Sequence, residues 1–345
     1  MLNIKNLFII IALFVNNSHQ YMISNNVHTL FNNWNCIGIK ESIDFTKPYK
    51  AKIGDLPLVV WKDDKGNLQS AVNICKHMGS SFDEGKVKDG CLTCPYHGLK
   101  YTEKDSIGKT VEHEGKIFWS YKPKSNKPDM IPYFNNKDYE KSYIEIDMDC
   151  SMTDSVYNTM DLKHPAYVHA GLIGFGNNNN PPKNIKDHYY KDDKMIGLSF
   201  DYMSNDIIKT INKNTKDTRN YHMFKYPAFS WSRVTFKKTN HLLIGVNILP
   251  IAEKKTRWYI TILHNYLKNN FVEKNFMKSM AMTILLQDQN QMKNQYEENI
   301  LKKKILFSHQ FNDEKPIIRL KKLFENYTYP DIYACVDLYR DYNKI

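Results

Sequence analysis

The chain has 345 residues, of which 42% are hydrophobic and 13% aromatic, so it can bury real hydrophobic cores and is not a disordered chain. Its formal net charge is +11, but the basic residues are spread along the sequence and accompany no recognition motif, so we expect no nucleic-acid partner. A basic surface of this kind attracts an acidic protein or an anionic membrane.

The N-terminus carries an apolar run, residues 7–15, which follows Lys5 and precedes a polar stretch. The run is too short to span a bilayer as a helix. It has the shape of a signal peptide but lacks a convincing small-residue cleavage site. We predict that residues 1–20 form a targeting segment or a membrane anchor and lie outside the fold.

From Trp34 to about Lys122 the sequence contains short β-rich runs, such as residues 57–61 and 116–119, which are broken by Asp and Gly turns. A linker that contains proline follows Lys122. These patterns predict a small antiparallel β-domain over residues 30–125, from which ligand-bearing loops project.

Two Cys-His pairs lie in this predicted domain, Cys75 with His77 and Cys94 with His97. Each pair offers one sulfur and one nitrogen, which suits a 2Fe-2S cluster with one iron held by two thiolates and the other by two imidazoles. Zinc also takes two Cys and two His, but zinc sites usually keep like ligands together in the sequence. We therefore predict a Rieske-type 2Fe-2S cluster and keep structural zinc as the alternative.

The same stretch resembles the Rieske domain of non-haem iron oxygenases. Besides the two ligand pairs, the resemblance rests on residues 59–63, Gly66, Gly85, Gly90 and Gly98. Enzymes of that family need a second, mononuclear iron centre. Within the family, the chain looks closer to the pheophorbide a oxygenase and vanillate O-demethylase branch than to the larger ring-dihydroxylating subunits.

A second motif, N-x2-D-x2-H-x4-H, runs from Asn158 through Asp161 and His164 to His169 and resembles the mononuclear iron site of that family. Asp161 precedes His164 by one helical turn, so its carboxylate can accept a hydrogen bond from that imidazole and fix the tautomer. Pro165 disfavours a continuous helix and lets the two imidazoles converge. By itself, the run could also be the end of an amphipathic helix with incidental histidines.

An iron site with two histidines also needs a carboxylate. Residues 271–304 contain no Pro or Gly and have helical periodicity, and Asp288 falls on the apolar stripe of this predicted helix. A buried carboxylate is unfavourable unless it is paired or binds a metal, so Asp288 is the predicted third ligand. Glu297 and Asp313 are the alternatives, because an error in the helical phase would turn Asp288 toward solvent.

Strand-like runs return in the middle of the chain, before the predicted helix. A sheet followed by a long C-terminal helix predicts an α+β catalytic domain over residues 140–345, and the resemblance implies a helix-grip (START-like) antiparallel sheet around a cavity. Tyr226, Phe229 and Trp231 are candidates for its lining, although aromatic residues at strand spacing are more often plain core.

The resemblance implies an oxygenase component that takes electrons from a separate ferredoxin or flavin reductase and activates O2 at a mononuclear Fe(II). Its substrate would be a hydrophobic organic molecule such as a pigment, sterol or aromatic compound, which it hydroxylates, demethylates or ring-opens. The resemblance also implies a homotrimer, in which Asp161 and Asn158 belong to the catalytic machinery and Asp161 links His164 to a cluster histidine of a neighbouring subunit.

Two other classes of protein remain open. An electron-transfer Rieske protein would need no second iron site, and a carrier of hydrophobic ligands could use the cavity with an inactive iron site. Because an oxidising compartment threatens cluster thiolates, we expect an organelle, plastid-like, or a membrane surface rather than secretion, with the cytoplasm as a further alternative.

Overall fold

The computed structural model describes most of the chain. The described residues are 29–169, 172, 182–189, 194–202, 218–236, 239–266, 271–302, 315–332 and 334–335. The predicted targeting segment, residues 1–20, lies outside them. Within these ranges no helix is both long enough and apolar enough to cross a membrane.

Short antiparallel strands build the N-terminal part of the fold. They are β1 (Asn35–Ile39), β2 (Tyr49–Ile53), β3 (Leu56–Lys62), β4 (Leu68–Val72), β5 (Lys86–Lys88), β6 (Cys91–Thr93), β7 (Lys100–Tyr101), β8 (Lys109–His113) and β9 (Lys116–Ser120), with 3-10 turns at Lys40–Ser42 and Glu103–Asp105. They form three small sheets in the orders β1-β9-β8, β2-β3-β4 and β5-β6-β7.

The core of this part is aromatic, and Trp61, Phe82 and Trp119 are fully buried in it. The rings of Phe82 and Tyr101 meet edge to face with their centroids 4.7 Å apart, close to the base of the β6-β7 loop. The loop after β4 and the loop between β6 and β7 leave this core and carry the two Cys-His pairs. A rigid core therefore fixes the base of both loops.

A seven-stranded antiparallel sheet dominates the C-terminal part. Its strands are β10 (Glu140–Met148), β11 (Lys183–Tyr189), β12 (Met195–Tyr202), β13 (Thr218–Lys225), β14 (Phe229–Phe236), β15 (Asn240–Ala252) and β16 (Lys255–His264). The order is β10-β16-β15-β14-β13-β12-β11, so consecutive strands from β11 to β16 are neighbours and β10 closes the far edge.

Within the described residues, four helices accompany this sheet: α1 (Met152–Met160), α2 (Pro165–Val168), α3 (Phe271–Lys302) and α4 (Lys315–Phe324). The long helix α3 packs on β10 and on both short helices, whereas strands β1 and β2 of the small sheets pack on β15. Strand β16 lies between β10 and β15 and is buried on both faces, since Trp258, Tyr259 and Ile260 are all at most 2% exposed.

A buried polar contact joins the two parts of the fold. Lys116 on β9 is 1% exposed, and its Nζ donates a hydrogen bond to Asn247 Oδ1 on β15 at 2.8 Å. Glu114 Oε2 lies 3.7 Å from the same ammonium, while Glu114 Oε1 accepts a hydrogen bond from the backbone N–H of Ile131. The predicted α+β fold, with small β-sheets before a larger sheet and a long helix, is confirmed.

Candidate active site

The two Cys-His loops have nearly the same backbone hydrogen bonds. The N–H of Cys75 donates to the Ser80 carbonyl at 2.8 Å, and the N–H of Cys94 donates to the Leu99 carbonyl at 2.9 Å. In each loop a glycine N–H, from Gly79 or Gly98, donates back to the cysteine carbonyl. Both glycines have φ +74°, a left-handed conformation that favours glycine, so each loop can close tightly.

The loops bring the four predicted cluster ligands together. The imidazole rings of His77 and His97 lie edge to face with centroids 4.7 Å apart, and both histidines are exposed. Cys75 and Cys94 lie beneath them and are buried. The sulfur pair therefore lies inside the protein and the nitrogen pair at its surface.

The surroundings of Cys94 suit a bound thiolate. Burial by itself would raise the pKa of this thiol, but hydrogen bonds from the backbone N–H groups of Tyr96 and His97, and from the Cys75 and Ser80 side chains, lower its pKa below the usual value. Backbone N–H groups directed at a sulfur stabilise its anionic, metal-binding form. This donor set fits a 2Fe-2S cluster with mixed ligands.

A second group of candidate ligands lies where α2 meets α3. His164, His169 and Asp288 each direct a potential ligand atom into one small space, and these atoms lie within 4.8 Å of one another. Asp288 Oδ1 is 3.5 Å from His164 Nε2 and 3.3 Å from His169 Nε2. The helix places Asp288 inside, since it is only 5% exposed, as its position on the apolar stripe predicts.

The opposite ring nitrogens of both histidines are held by hydrogen bonds. His164 Nδ1 donates to the backbone carbonyl of Asp161 at 2.9 Å, and His169 Nδ1 donates to Gln287 Oε1 at 3.0 Å. Each imidazole thus keeps its proton on Nδ1 and turns Nε2 toward Asp288. A metal-ligating histidine is commonly fixed by such a second contact.

The charges of this group also fit a bound cation. Burial lowers the pKa of His164. Burial likewise acts to lower the pKa of His169, but its hydrogen bond to Asp288 and the charge of that carboxylate outweigh burial and raise it. An unprotonated nitrogen that faces a carboxylate oxygen is repelled unless a proton or a metal ion lies between them. Two imidazoles and one carboxylate are the facial set that non-haem Fe(II) uses.

The expected contact of the Asp161 carboxylate with His164 is corrected by the structure. Helix α1 ends at Met160, and Asp161 has an extended backbone with φ −75° and ψ 114°. Its nearest carboxylate oxygen is 3.9 Å from His164 Nδ1, so the backbone carbonyl orients the imidazole instead. The carboxylate accepts a hydrogen bond from the Lys163 N–H and is partly exposed.

Asn158 contacts the site directly, because its Nδ2 donates to Asp288 Oδ1 at 3.3 Å. Of the alternative third ligands, Asp313 lies outside the described residues, and the side chain of Glu297 also falls outside what the structure describes. The sequence does not predict a role for Gln287, which precedes Asp288 on the helix. Its contact with His169 depends on the packing of α3 against α2, which residue spacing does not reveal.

A cavity of about 160 Å³ opens beside His164, His169 and Asp288. Its remaining walls come from apolar side chains of β15, β16 and α3, from His222, Ser230 and Ser232 on β13 and β14, and from Asn158, Thr159 and Pro165 on the two short helices. Burial lowers the pKa of His222 to about 4, although a hydrogen bond to the Thr159 backbone partly opposes this, so its imidazole is neutral.

The aromatic residues predicted to line this cavity lie elsewhere. Phe229 and Trp231 belong to a separate apolar cluster with Ile131. Tyr226 packs on Phe324 of α4 with ring centroids 5.1 Å apart. Because side chains alternate along a strand, the outward placement of Phe229 and Trp231 turns the intervening serine inward. None of the three aromatic residues is among the described residues that line the cavity, so this prediction is wrong.

Comparison with known proteins first identifies the N-terminal part. Residues 33–119 match the model of the Rieske [2Fe-2S] domain. The oxygenase component of 3-ketosteroid-9-alpha-monooxygenase from Rhodococcus rhodochrous is 24% identical over 162 residues, which are 39% of this chain and 41% of the relative. Chloroplastic choline monooxygenase from Arabidopsis thaliana is 30% identical over 102 residues, 28% of this chain and 24% of the relative.

The whole fold is similar to that of a solved oxygenase. Dicamba monooxygenase bound to 3,6-dichlorosalicylic acid superposes with a TM-score of 0.72 and 16% identity over 86% of this chain and 96% of that structure. The chain thus contains a Rieske [2Fe-2S] domain, and the predicted resemblance to the oxygenase components of Rieske non-haem iron oxygenases is confirmed. The sequence match spans about two fifths of the length of the ketosteroid relatives.

Proposed function

We propose that this protein is the oxygenase component of a Rieske non-haem iron oxygenase and oxidises a hydrophobic organic substrate. One observation carries the proposal: His164, His169 and Asp288 converge beside a largely apolar cavity in a chain that also holds a Rieske domain. Dicamba monooxygenase, whose fold is similar, has been solved with non-haem iron. When bound, the cluster supplies single electrons and the mononuclear iron supplies the site of O2 reduction.

The roles of the side chains follow from their contacts. Cys75, Cys94, His77 and His97 would hold the cluster, and His164, His169 and Asp288 would hold the mononuclear Fe(II). Gln287 and the Asp161 carbonyl keep Nδ1 of each imidazole protonated, so Nε2 stays available as a ligand. Asn158 restrains the Asp288 carboxylate, and the apolar walls exclude water from the reacting substrate.

The electrons would come from a separate ferredoxin or flavin reductase. The sequence has neither a G-x-G-x-x-G dinucleotide fingerprint after a strand nor a plant-type ferredoxin cysteine pattern. We further propose a homotrimer in which the partly exposed Asp161 carboxylate faces a cluster histidine of the neighbouring subunit. The exposure of Asp161 and of His77 and His97 supports this arrangement.

Iron counting and spectroscopy test the proposal. Anaerobically purified protein should contain about three irons per chain, and the reduced cluster should give a Rieske electron paramagnetic resonance signal. With a chemical reductant and O2, a panel of pigments, sterols and methoxyaromatics should yield an oxygenated product. About two irons and no product would instead indicate an electron-transfer protein, and a bound substrate that stays unchanged would indicate a carrier.

Asp161→Ala tests the trimer and the role of this carboxylate. Because its backbone carbonyl survives the change, the variant should keep all its iron and its trimeric mass but lose steady-state turnover. Mass photometry, iron analysis and product formation measure these three properties. Full turnover in the variant would contradict the proposed link between subunits.

A further inference from the structure

The sheet wall of the cavity is polar on one side and apolar on the other. Two rows of cross-strand neighbours form it, and each row changes from polar to apolar between β14 and β15. The rows are His222, Ser232, Ile244 and Ile262, and then Ser230, Val246 and Ile260. A molecule in the cavity therefore meets hydroxyl groups on one flank and branched aliphatic side chains on the other.

The polar flank carries two serine hydroxyl groups. Ser230 is 2% exposed, yet neither it nor Ser232 makes a side-chain hydrogen bond to another residue in the part of the chain that the structure describes. A buried hydroxyl normally has a partner, because leaving it without one costs free energy. These two groups are therefore available to a molecule that enters the cavity.

The described lining of the cavity offers no side-chain cation. Its described lining contains no Lys or Arg, and its single acid is Asp288, which the proposed iron site uses. A buried anion needs a counter-charge. Among the described lining residues, neither an anionic nor a cationic substrate finds a side-chain counter-charge that the proposed iron site does not already use. The lining thus favours an uncharged molecule.

The volume of the cavity limits what it can hold. A cavity of about 150 Å³ lined by apolar side chains accommodates benzene, and this one measures about 160 Å³. It can take a single ring, or one end of a larger molecule, but not an entire fused-ring sterol or pigment.

We propose that this cavity selects an uncharged, single-ring-sized group that carries one hydrogen-bonding substituent, which is bound by Ser230 and Ser232 while the ring packs on the aliphatic flank. This substrate class rests on the proposed oxygenase function. Ser230 and Ser232 are then specificity-determining residues, and they line the same cavity as the side chains that would hold iron.

Calorimetric titration of the anaerobic, reduced holoprotein tests the proposal without turnover. The probes are phenol, toluene and benzoate, which share one ring but carry a hydroxyl group, a methyl group and an anionic carboxylate. We expect phenol to bind roughly 3- to 10-fold more tightly than toluene, since one hydrogen bond is gained, and benzoate to bind most weakly. Equal affinity for phenol and toluene, or tightest binding of benzoate, would overturn the proposal.

Two variants locate the interaction. Ser230→Ala and Ser232→Ala should each weaken phenol binding roughly 3- to 10-fold and leave toluene binding unchanged. Ser199→Ala is the matched control, because Ser199 is buried in the same sheet but alternates onto the opposite face. If the serine variants bind phenol as the wild type does, the proposal is wrong. If either variant fails to fold, the comparison of the three probes on wild-type protein still decides.

The two proposals can fail separately. Selective phenol binding without any oxygenated product would preserve this cavity assignment and refute the oxygenase. Efficient oxidation of an anionic or hydrocarbon substrate, with no effect of the serine changes, would preserve the oxygenase and refute the assignment.

Discussion

The cluster loops and the mononuclear site hold their candidate ligands in opposite ways. All four cluster ligands come from one stretch, from Cys75 to His97, and short hydrogen bonds within each loop set their positions. The mononuclear site joins Asn158 to Asp288, which is 130 positions away, and depends on helix packing. The first site leaves its histidines exposed, whereas the second buries His169 and Asp288. The exposed histidines of the cluster loops suit electron exchange at the protein surface. The buried ligands of the mononuclear site, brought together from distant parts of the chain, suit a reaction away from water.

The largest effect is expected from Cys94→Ala. Without this thiolate the cluster should be lost, so the iron content should fall from about three to about one per chain and turnover should stop. Because the two sites are built independently, the mononuclear site should still bind Fe(II). Iron analysis and the visible spectrum of the variant measure both results, and Cys91→Ala, beside the same loop, serves as the control. Loss of all iron would show that the sites are not independent.

Asp288→Ala should have the opposite effect: it should remove the mononuclear iron and leave the cluster in place. The cluster and its electron paramagnetic resonance signal should persist, while the iron content should fall to about two per chain and product formation should cease. Asn290→Ala, on an exposed position of the same helix, should change neither quantity. If the Asp288 variant retains the third iron, another carboxylate must be the third ligand.

The difference between the sites also explains what could be predicted from sequence. The Cys-His pairs and their glycines form a local pattern, so ligand identity follows from spacing. Asp288 was predicted because an acid on an apolar helical stripe is energetically costly, and it is indeed buried. These inferences use one element at a time, and a single sequence contains the information that they require.

The errors arise where two elements must meet. The strand Phe229–Phe236 begins with alternating aromatic and serine residues, and both faces of its sheet are covered, so hydrophobicity does not reveal which face borders the cavity. The size and hydrophobicity of Phe229 and Trp231 favour them as cavity residues, but the structure places Ser230 and Ser232 at the cavity instead. The helix end at Met160, which separates the Asp161 carboxylate from His164, depends in the same way on tertiary packing.

A smaller effect is expected from Gln287→Met. Gln287 orients His169 from 118 positions away, whereas the described hydrogen bonds that close the cluster loops join residues close together in the sequence. Without the amide oxygen, His169 Nδ1 loses its hydrogen-bond acceptor and the imidazole ring can rotate. The affinity for Fe(II) should therefore fall about 10- to 100-fold. Gln291→Met is the matched control, since Gln291 is exposed on the same helix. Fe(II) titration of metal-depleted protein measures the affinity. Equal affinities of the two variants would show that Gln287 does not support the iron site.

The smallest effect concerns the buried contact where the two regions meet. Burial raises the pKa of Glu114 to about 7, although the Lys116 ammonium opposes this. Between pH 5 and pH 7 the folded protein therefore holds more protons at Glu114 than the unfolded chain, whose carboxyl has its usual pKa of 4.5. The contribution of this group to the free energy of unfolding must fall as pH rises through that window, by about 2 kcal/mol at most.

Urea unfolding at pH 5 and pH 7 measures this slope. The double variant Glu114→Gln/Lys116→Met removes both buried charges together, which avoids leaving one of them unpaired, and should show a flatter pH dependence than the wild type. Glu112→Gln alters an exposed acid on the neighbouring strand and should keep the wild-type slope. If the double variant retains that slope, Glu114 is ionised in the folded protein at pH 5. Glu114 and Lys116 would then form a buried charged pair, and Lys116 would still donate its hydrogen bond to Asn247 across the two regions.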